Sequence, residues 1–162
     1  MDGWNQRLWV LVRSAFFALV LPGTVLYFAP RAAGAFRHPR SGIWLCFGAV
    51  PLTLGCALLL SCIFEFAWVG LGTLAIIDPP RNLVERGPYR YVRNPMYLGV
   101  MAVLAGEAIA CRSRFLPAYA VAVAVFVNLF VRLYEEPMLR RKFGDSYVSY
   151  CATVPRWFPH GF

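Results

Sequence analysis

The chain has 162 residues, of which 59% are hydrophobic and 15% are charged, and its mean hydropathy is +0.56. Because a soluble domain normally carries about 25% charged residues, this composition excludes an ordinary soluble globular protein and indicates a single membrane domain over 1–162. The formal net charge of +8 would also suit nucleic-acid binding. In a chain with long apolar segments, however, it indicates the Lys- and Arg-rich cytoplasmic loops of an integral membrane protein.

The first apolar segment predicts a membrane helix over about 8–29. Arg13 interrupts the segment and no convincing cleavage site follows at a suitable distance, so we expect a retained helix rather than a signal peptide. Pro22 and Gly23 predict a kink in this helix. The basic stretch 30–41 is expected to form the following loop.

The second apolar segment begins near Gly42 and continues to Ile77, interrupted only by Glu65. This is too long for one untilted crossing of about 30 Å. The helix therefore either tilts and projects from the membrane or breaks near Gly70–Gly72. We favour projection, which places Glu65 near the membrane interface.

The polar segment Asp78–Pro95 contains four prolines, which preclude a continuous helix. Two apolar helices follow, Pro95–Cys111 and Phe115–Tyr134, and the sequence CRSR between them predicts a tight turn. Helices joined this closely form a hairpin, so the segments 78–94 and 135–162 are expected on the same side of the membrane.

Both of these segments are rich in arginine, and the positive-inside rule therefore places them in the cytoplasm. The sequence as a whole predicts an all-α, polytopic membrane protein with about four transmembrane helices, a cytoplasmic loop and a C-terminal cap on the membrane surface. The N-terminal spanning helices would occupy 8–77, and the loop, the hairpin and the cap would occupy 78–162.

The stretch RGPYRYVRNPMYLG, residues 86–99, begins the third predicted helix. Asn is among the best N-cap residues and Pro suits the first helical position, so Asn94 and Pro95 predict a helix start. A helix N-terminus offers free N–H groups and a partial positive charge, which suit a carboxylate or a phosphate. Tyr89 and Tyr97 add aromatic faces and hydroxyl groups.

Two adjacent acids, Glu135 and Glu136, follow the fourth predicted helix, and the hairpin brings them to the same region. A carboxylate-binding helix end, aromatic faces and a pair of carboxylates would fit a ligand with a carboxylate, an ammonium group and a flat ring. S-adenosyl-L-methionine is such a ligand, and it also carries a sulfonium.

The sequences LVERGPYRYVRNPMYLG and YEEPMLRRKFGDSYVSYCATVPRWFP resemble the isoprenylcysteine carboxyl methyltransferase family and the related phospholipid N-methyltransferases. These membrane enzymes share G-x-Y, R-H-P-x-Y-x-G, a Glu-Glu pair, F-G-x-x-Y-x-x-Y and V-P, in that order. The match covers roughly half of the chain, from Asp78 to Pro159. It implies an S-adenosyl-L-methionine-dependent methyltransferase that acts on a lipophilic or membrane-embedded acceptor, in the manner of isoprenylcysteine carboxyl methyltransferase.

The resemblance also implies which residues form the site. The expected cofactor-binding residues are Leu83, Val84, Glu85, Arg86, Gly87, Pro88, Tyr89, Asn94, Pro95, Tyr97, Glu135 and Glu136. Within this set Glu135 would hold the amino group of the cofactor, whereas Glu136 would either assist or form a structural pair with Arg140 at helical spacing. Arg132 lies close to the place of the family's substrate-contacting arginine and is the candidate catalytic residue.

Asn94 departs from the family pattern, in which many members have His at this position. Asn cannot titrate near neutral pH as His can, so a base at this position is excluded. Methyl transfer to a carboxylate or a thiolate needs no base, whereas transfer to an ammonium group requires deprotonation first. The substitution therefore favours anionic acceptors slightly over amines.

Three alternatives stay open: a phospholipid N-methyltransferase, an NADPH-dependent membrane reductase of the sterol type, and a non-enzymatic membrane scaffold. The arginines and tyrosines of the loop would also suit anchors to lipid phosphates and interfacial aromatic residues. The expected partners are membrane lipids and a lipophilic or prenylated acceptor, without nucleic acid. We expect no metal, because the five cysteines and two histidines show no ligand spacing.

Overall fold

The computed structural model describes residues 20, 22–34, 42–66, 68 and 82–159. These ranges form helices and turns, with no β-strand among them. The predicted all-α class is therefore confirmed for this part of the chain. The prediction of about four transmembrane helices is supported only in part, because two of the described helices are long and apolar enough to cross a membrane on their own.

Helix α1 consists of a π-helical turn, Thr24–Phe28, that runs directly into the α-helical turn Ala29–Ala32. The predicted helix over 8–29 lies mostly outside the described residues, and its described end continues slightly further than predicted. The hydroxyl of Tyr119 donates a hydrogen bond of 3.0 Å to the carbonyl oxygen of Val25. This bond fixes α1 against the fourth helix of the bundle.

Helix α2 covers Gly42–Glu65 and begins where the sequence predicted. Its 24 residues span about 36 Å, enough to cross the ~30 Å hydrocarbon core of a bilayer. Only 17% of the most apolar 18-residue segment of this helix is buried within the protein, so most of the helix surface is available to lipid. Whether the helix continues towards Ile77 or breaks near Gly70–Gly72 lies outside the described residues.

Helix α3 covers Pro95–Cys111, and both of its ends lie where the sequence predicted. Arg112 ends the helix in the left-handed conformation with a φ of 50°. The Oγ of Ser113 then accepts a hydrogen bond of 3.4 Å from the backbone N–H of Leu116, which begins the next helix. The predicted tight turn is therefore confirmed.

Helix α4 covers Phe115–Phe143, and the predicted end at Tyr134 is wrong. The helix passes through a π-helical turn, Val131–Glu135, and continues beyond it. Pro137 lacks the N–H that an α-helix would need at that position, and the widened turn accommodates it without breaking the helix. The pair of acids therefore lies within α4 instead of in a separate tail.

Helix α5 covers Asp145–Thr153 and follows Gly144, whose φ of 55° is in the left-handed region that favours glycine. A small core beneath α5 combines the loop before α3, the end of α4 and α5 itself. Its members include Leu83, Leu139, Phe143, Tyr147, Tyr150 and Val154. The loop and the C-terminal segment thus meet at one end of the bundle, as the predicted hairpin requires.

Helices α2 and α3 cross at a very short distance because glycines face each other at the contact. A Cβ atom at Gly48 would lie 2.5 Å from the carbonyl oxygen of Gly106, and one at Gly55 would lie 2.7 Å from that of Gly99. The two pairs run in opposite order along the chain, so the helices are antiparallel. Small residues that let helix backbones approach closely are typical of helix pairs in membranes.

Cysteines introduced at Asn82 and Ser146 are expected to react with a membrane-impermeant thiol reagent from the same side, the cytoplasmic side. Both positions are exposed, one in the loop before α3 and one in α5. Labelling in a variant whose five native cysteines are replaced by serine measures this. A cysteine at Arg114, in the turn between α3 and α4, is the control that should react from the opposite side. Labelling of Asn82 and Ser146 from different sides would contradict the hairpin.

Candidate active site

The two halves of the predicted motif meet in one small cavity at the end of the bundle. Its walls come from the end of α2, the loop before α3, the end of α4 and α5: Phe66, Leu83, Val84, Tyr89, Arg93, Asn94, Glu135, Glu136, Leu139, Tyr147 and Tyr150. Six of these residues belong to the predicted cofactor-binding set. The cavity volume is about 40 Å³, well below the ~300–1,000 Å³ of ordinary ligand pockets.

Glu135 lies at the end of the π-helical turn, and its Oε2 accepts a hydrogen bond of 3.0 Å from the hydroxyl of Tyr97. The two residues are 38 positions apart in the sequence, so the hairpin brings them together. The ring centroid of Tyr97 lies 6.4 Å from that of Trp157, with the rings tilted by 59°. An oriented carboxylate close to aromatic rings is suited to binding a cationic group.

Glu136 is buried and forms a charged cluster with two arginines. Its carboxylate accepts hydrogen bonds of 2.8 and 2.7 Å from the Nε and Nη2 of Arg156, and it lies 3.0 Å from the Nη1 of Arg93. Hydrogen bonding to Glu136 raises the pKa of Arg156. The alternative pairing with Arg140 is not the one adopted, because the C-terminal segment folds back and brings Arg156 to the carboxylate.

Asn94 occupies the N-cap position of α3, but its side chain does not cap the helix. Instead, its Nδ2 donates a hydrogen bond of 3.2 Å to the carbonyl oxygen of Arg156, 62 positions further along the chain. The backbone N–H of Arg93 donates a second bond of 2.9 Å to the carbonyl oxygen of Pro155. The predicted side-chain cap is therefore wrong, because the C-terminal segment takes up the amide of Asn94.

Tyr89 is a buried wall of the cavity. Its side chain packs in one buried cluster with Cys62 of α2, and its ring centroid lies 5.3 Å from that of Phe66. Its carbonyl oxygen accepts a hydrogen bond of 2.6 Å from the hydroxyl of Tyr150. Burial raises the pKa of the Tyr89 hydroxyl, so the side chain stays neutral. Tyr89 thus contacts the end of α2 through its ring and α5 through its backbone carbonyl.

The predicted loop residues divide between the cavity and the surface. Leu83 and Val84 line the cavity. The others lie outside its walls, exposed or half-buried: Glu85, Arg86, Gly87 and Pro88. Gly87 has a φ of 56°, and a Cβ atom there would lie 2.7 Å from the Oε1 of Glu65. Glu65, predicted near the interface, therefore packs directly against the motif loop.

Besides these four loop residues, three other predicted residues are not walls of the cavity. Pro95 is buried in the first turn of α3, and Tyr97 reaches the cavity through its hydrogen bond to Glu135. The candidate catalytic residue, Arg132, is exposed on the π-helical turn of α4. Its role stays a prediction.

Sequence reasoning did not select five of the walls: Phe66, Arg93, Leu139, Tyr147 and Tyr150. The two tyrosines belong to the F-G-x-x-Y-x-x-Y motif, and their spacing of three places them on one helix face. That spacing was a usable signal. For Phe66 and Leu139, two apolar residues among many, the sequence contains no comparable signal.

Comparison with known proteins agrees with the motif. No curated protein sequence matches the chain. A family model for phospholipid methyltransferases, however, matches residues 43–146, which is well over half of the chain and includes both Glu135 and the loop before α3. The suspected relationship to membrane methyltransferases of the phospholipid type is thereby confirmed. The chain belongs to the phospholipid methyltransferase family, and it is a membrane methyltransferase that acts on lipids.

Proposed function

We propose that the protein transfers a methyl group from S-adenosyl-L-methionine to a lipid acceptor, with the cofactor bound at the cavity of Glu135. The observation that carries this proposal is the hydrogen bond of 3.0 Å between Tyr97 and Glu135. In this bond the hydroxyl of Tyr97, from the first half of the motif, fixes the direction of the Glu135 carboxylate, from the second half. The proposed active site opens to the cytoplasmic face, as the arginine distribution predicts.

The chemistry of the cavity suits this cofactor. Glu135 would hold its ammonium group, and Asn94 lies at the start of α3, where a carboxylate is favoured. Leu83 and Val84 supply apolar surface for a flat ring. Because the cavity volume is only about 40 Å³, these walls must move apart for the cofactor to bind. When bound, the cofactor would supply a methyl group on a sulfonium, whose sulfur leaves as a neutral thioether when the methyl carbon is transferred.

The residues of this chain contribute position and the exclusion of water. Tyr97 fixes the direction of the Glu135 carboxylate, and Tyr89 joins the loop to α2 and α5. Holding reactants in a fixed, dry geometry accounts for a large share of catalysis when no covalent step falls to the protein.

Two classes of acceptor fit this proposal. The resemblance predicts a prenylated cysteine carboxylate, and the family match supports a phospholipid equally well. Mass spectrometry of membrane lipids with and without the protein distinguishes them. A methyl-sized mass increase in a phospholipid class supports the second acceptor, and the same increase in a prenylated peptide supports the first.

Glu135→Gln is expected to weaken S-adenosyl-L-methionine binding about tenfold. Gln keeps the size of the side chain and one acceptor oxygen but removes the charge, and a charge-assisted hydrogen bond contributes about 1.5–3 kcal/mol against about 1 for a neutral one. Calorimetric titration of the purified protein in detergent measures the affinity. The melting temperature should change little, because a Gln oxygen can still accept the bond from Tyr97.

The matched control is Glu136→Gln, which makes the same substitution at the adjacent residue. This variant is expected to be less stable, but its folded molecules should bind the cofactor with near-normal affinity. The reason is that the carboxylate of Glu136 is already engaged by Arg93 and Arg156. Unchanged cofactor affinity in Glu135→Gln would remove the central residue of this proposal. Saturable binding of NADPH by the wild-type protein would instead favour a reductase.

A further inference from the structure

The apolar part of α4, Phe115–Phe130, contains two polar side chains, those of Tyr119 and Asn128. The hydroxyl of Tyr119 donates a hydrogen bond to the backbone of α1, which joins two helices. Asn128 is instead bonded to a side chain of the C-terminal segment. Its Oδ1 accepts a hydrogen bond of 3.2 Å from the indole N–H of Trp157. The significance of Asn128 therefore depends on what Trp157 contacts.

An asparagine is costly in the apolar part of a membrane helix. Its amide gives up hydrogen bonds to water when the helix enters hydrocarbon, and only partners within the protein offset this loss. A leucine at position 128 would insert into the membrane more readily. The partner of Asn128 lies 29 positions further along the chain. The bond therefore serves to fix Trp157 against the helix, and it does not assist the insertion of α4.

Trp157 contacts the residue that orients Glu135. Its ring centroid lies 6.4 Å from that of Tyr97, with a tilt of 59° between the rings, and attractive aromatic pairs have centroid distances of about 4.5–7 Å. The hydroxyl of Tyr97 donates the hydrogen bond of 3.0 Å to the Oε2 of Glu135. Asn128 is thereby connected to the Glu135 carboxylate through two aromatic side chains.

The other contacts of the segment 155–157 fix its backbone and its charged side chain. Two of its carbonyl oxygens accept hydrogen bonds from the residues just before α3, and the guanidinium group of Arg156 pairs with Glu136. These bonds leave the indole of Trp157 free to rotate about its side-chain bonds. Among the described residues, the hydrogen bond to Asn128 is the one that fixes the orientation of the indole.

We propose that Asn128 is a positioning residue for the binding of S-adenosyl-L-methionine. By fixing the ring of Trp157 against Tyr97, it keeps the Tyr97 hydroxyl directed at the carboxylate of Glu135. The inference rests on the proposed function, in which Glu135 holds the ammonium group of the cofactor. Asn128 does not line the cavity, so it acts through Trp157. A polar residue in the apolar part of α4 thus affects cofactor binding at the end of the bundle.

Asn128→Leu is expected to weaken S-adenosyl-L-methionine binding about threefold, within the range of one neutral hydrogen bond. Leucine is similar in size to asparagine but cannot accept a bond from the indole. Calorimetric titration of the purified protein in detergent measures the affinity. Equal affinity in Asn128→Leu and the wild type would overturn the proposal.

The matched control is Tyr119→Phe, which removes the hydrogen bond of the other polar side chain in the apolar part of α4. This variant is expected to be less stable and to bind the cofactor with wild-type affinity. If Tyr119→Phe weakened binding as much as Asn128→Leu, a general loosening of the helices would explain both results, and the positioning role would be wrong.

A double-mutant cycle with Tyr97→Phe shows whether the effect of Asn128 passes through the Tyr97 hydroxyl. Phenylalanine keeps a ring beside Trp157 but has no hydroxyl to orient Glu135. Asn128→Leu should therefore cause no further loss of cofactor affinity when Tyr97 is already replaced, whereas its effect on the melting temperature should persist. The same loss of affinity in both backgrounds would contradict a positioning role.

Fluorine NMR of the empty protein provides a measurement that needs no cofactor. In protein labelled with fluorotyrosine, the resonance that is missing from Tyr97→Phe identifies Tyr97. This resonance should move in Asn128→Leu and stay in place in Tyr119→Phe. A Tyr97 resonance that does not move in Asn128→Leu would overturn the proposal. Failure of the proposed function would appear differently, as absent binding of S-adenosyl-L-methionine by the wild-type protein.

Discussion

Glu136→Gln is expected to destabilise the protein by about 3 kcal/mol, the lower end of the cost of breaking a buried ion pair. The carboxylate holds Arg156 through two hydrogen bonds and also faces Arg93. Both arginines are only partly exposed, so removal of the charge leaves two guanidinium groups that repel each other. Partial exposure of Arg156 limits the loss. Unfolding in mixed detergent micelles measures the change in free energy.

Two further variants show whether the charge is responsible. The double variant Glu136→Gln/Arg156→Gln should recover part of the lost stability, because it removes one of the unpaired charges, and a double-mutant cycle measures this coupling. Glu135→Gln, with the same chemistry one residue earlier, should remain close to wild-type stability. If Glu135→Gln and Glu136→Gln were equally destabilising, the charged cluster would not be the cause.

Gly48→Ala is expected to destabilise the pair of helices α2 and α3 by about 1–3 kcal/mol, the usual range for overpacking. The added methyl group would lie 2.5 Å from the carbonyl oxygen of Gly106 and 2.8 Å from the backbone N of Ala110. Both are backbone atoms, which cannot rotate away, so the helices must separate. Thermal unfolding in detergent measures the loss, and Gly48→Leu should have a larger effect.

Gly42→Ala provides the control, because a Cβ atom at Gly42 would meet nothing within 4 Å. Replacing Gly by Ala favours a helix interior by about 1 kcal/mol in the absence of a clash, and the gain is smaller at Gly42 because it is the first residue of α2. The two substitutions, both in α2, should therefore change stability in opposite directions. Equal melting temperatures for Gly48→Ala and the wild type would mean that the two helices do not cross at these glycines.

The sequence predicted α3 well because its limits carry strong local signals. Pro95 begins the helix and the CRSR turn ends it, and both features depend only on neighbouring residues. The end of α4 was missed because Pro137 and the acids before it normally mark the end of a helix. A π-helical turn that absorbs a proline depends on the packing of the whole bundle, and no local pattern indicates it.

The same distinction between local signals and long-range packing decides which contacts of the candidate site could be predicted. The hairpin of α3 and α4 predicted that Tyr97 and Glu135 would lie in one region, because the topology follows from two apolar segments and a short turn. Local spacing, in contrast, pairs Glu136 with Arg140. The partner that Glu136 has in the structure, Arg156, is 20 positions away in the sequence. Only the fold of the C-terminal segment brings Arg156 back to the end of α4.

The segment 155–157 has a consequence for biosynthesis. It joins Arg93, Asn94, Asn128 and Glu136 through hydrogen bonds, yet it follows every described helix in the chain. Because the chain is made from its N-terminus, Arg93, Asn94, Asn128 and Glu136 are all synthesised before the residues that bring them together. Until that segment docks, Glu136 has only Arg93 as its ion-pair partner among the described residues, so a polypeptide shortened before residue 155 would lack the assembled charged cluster.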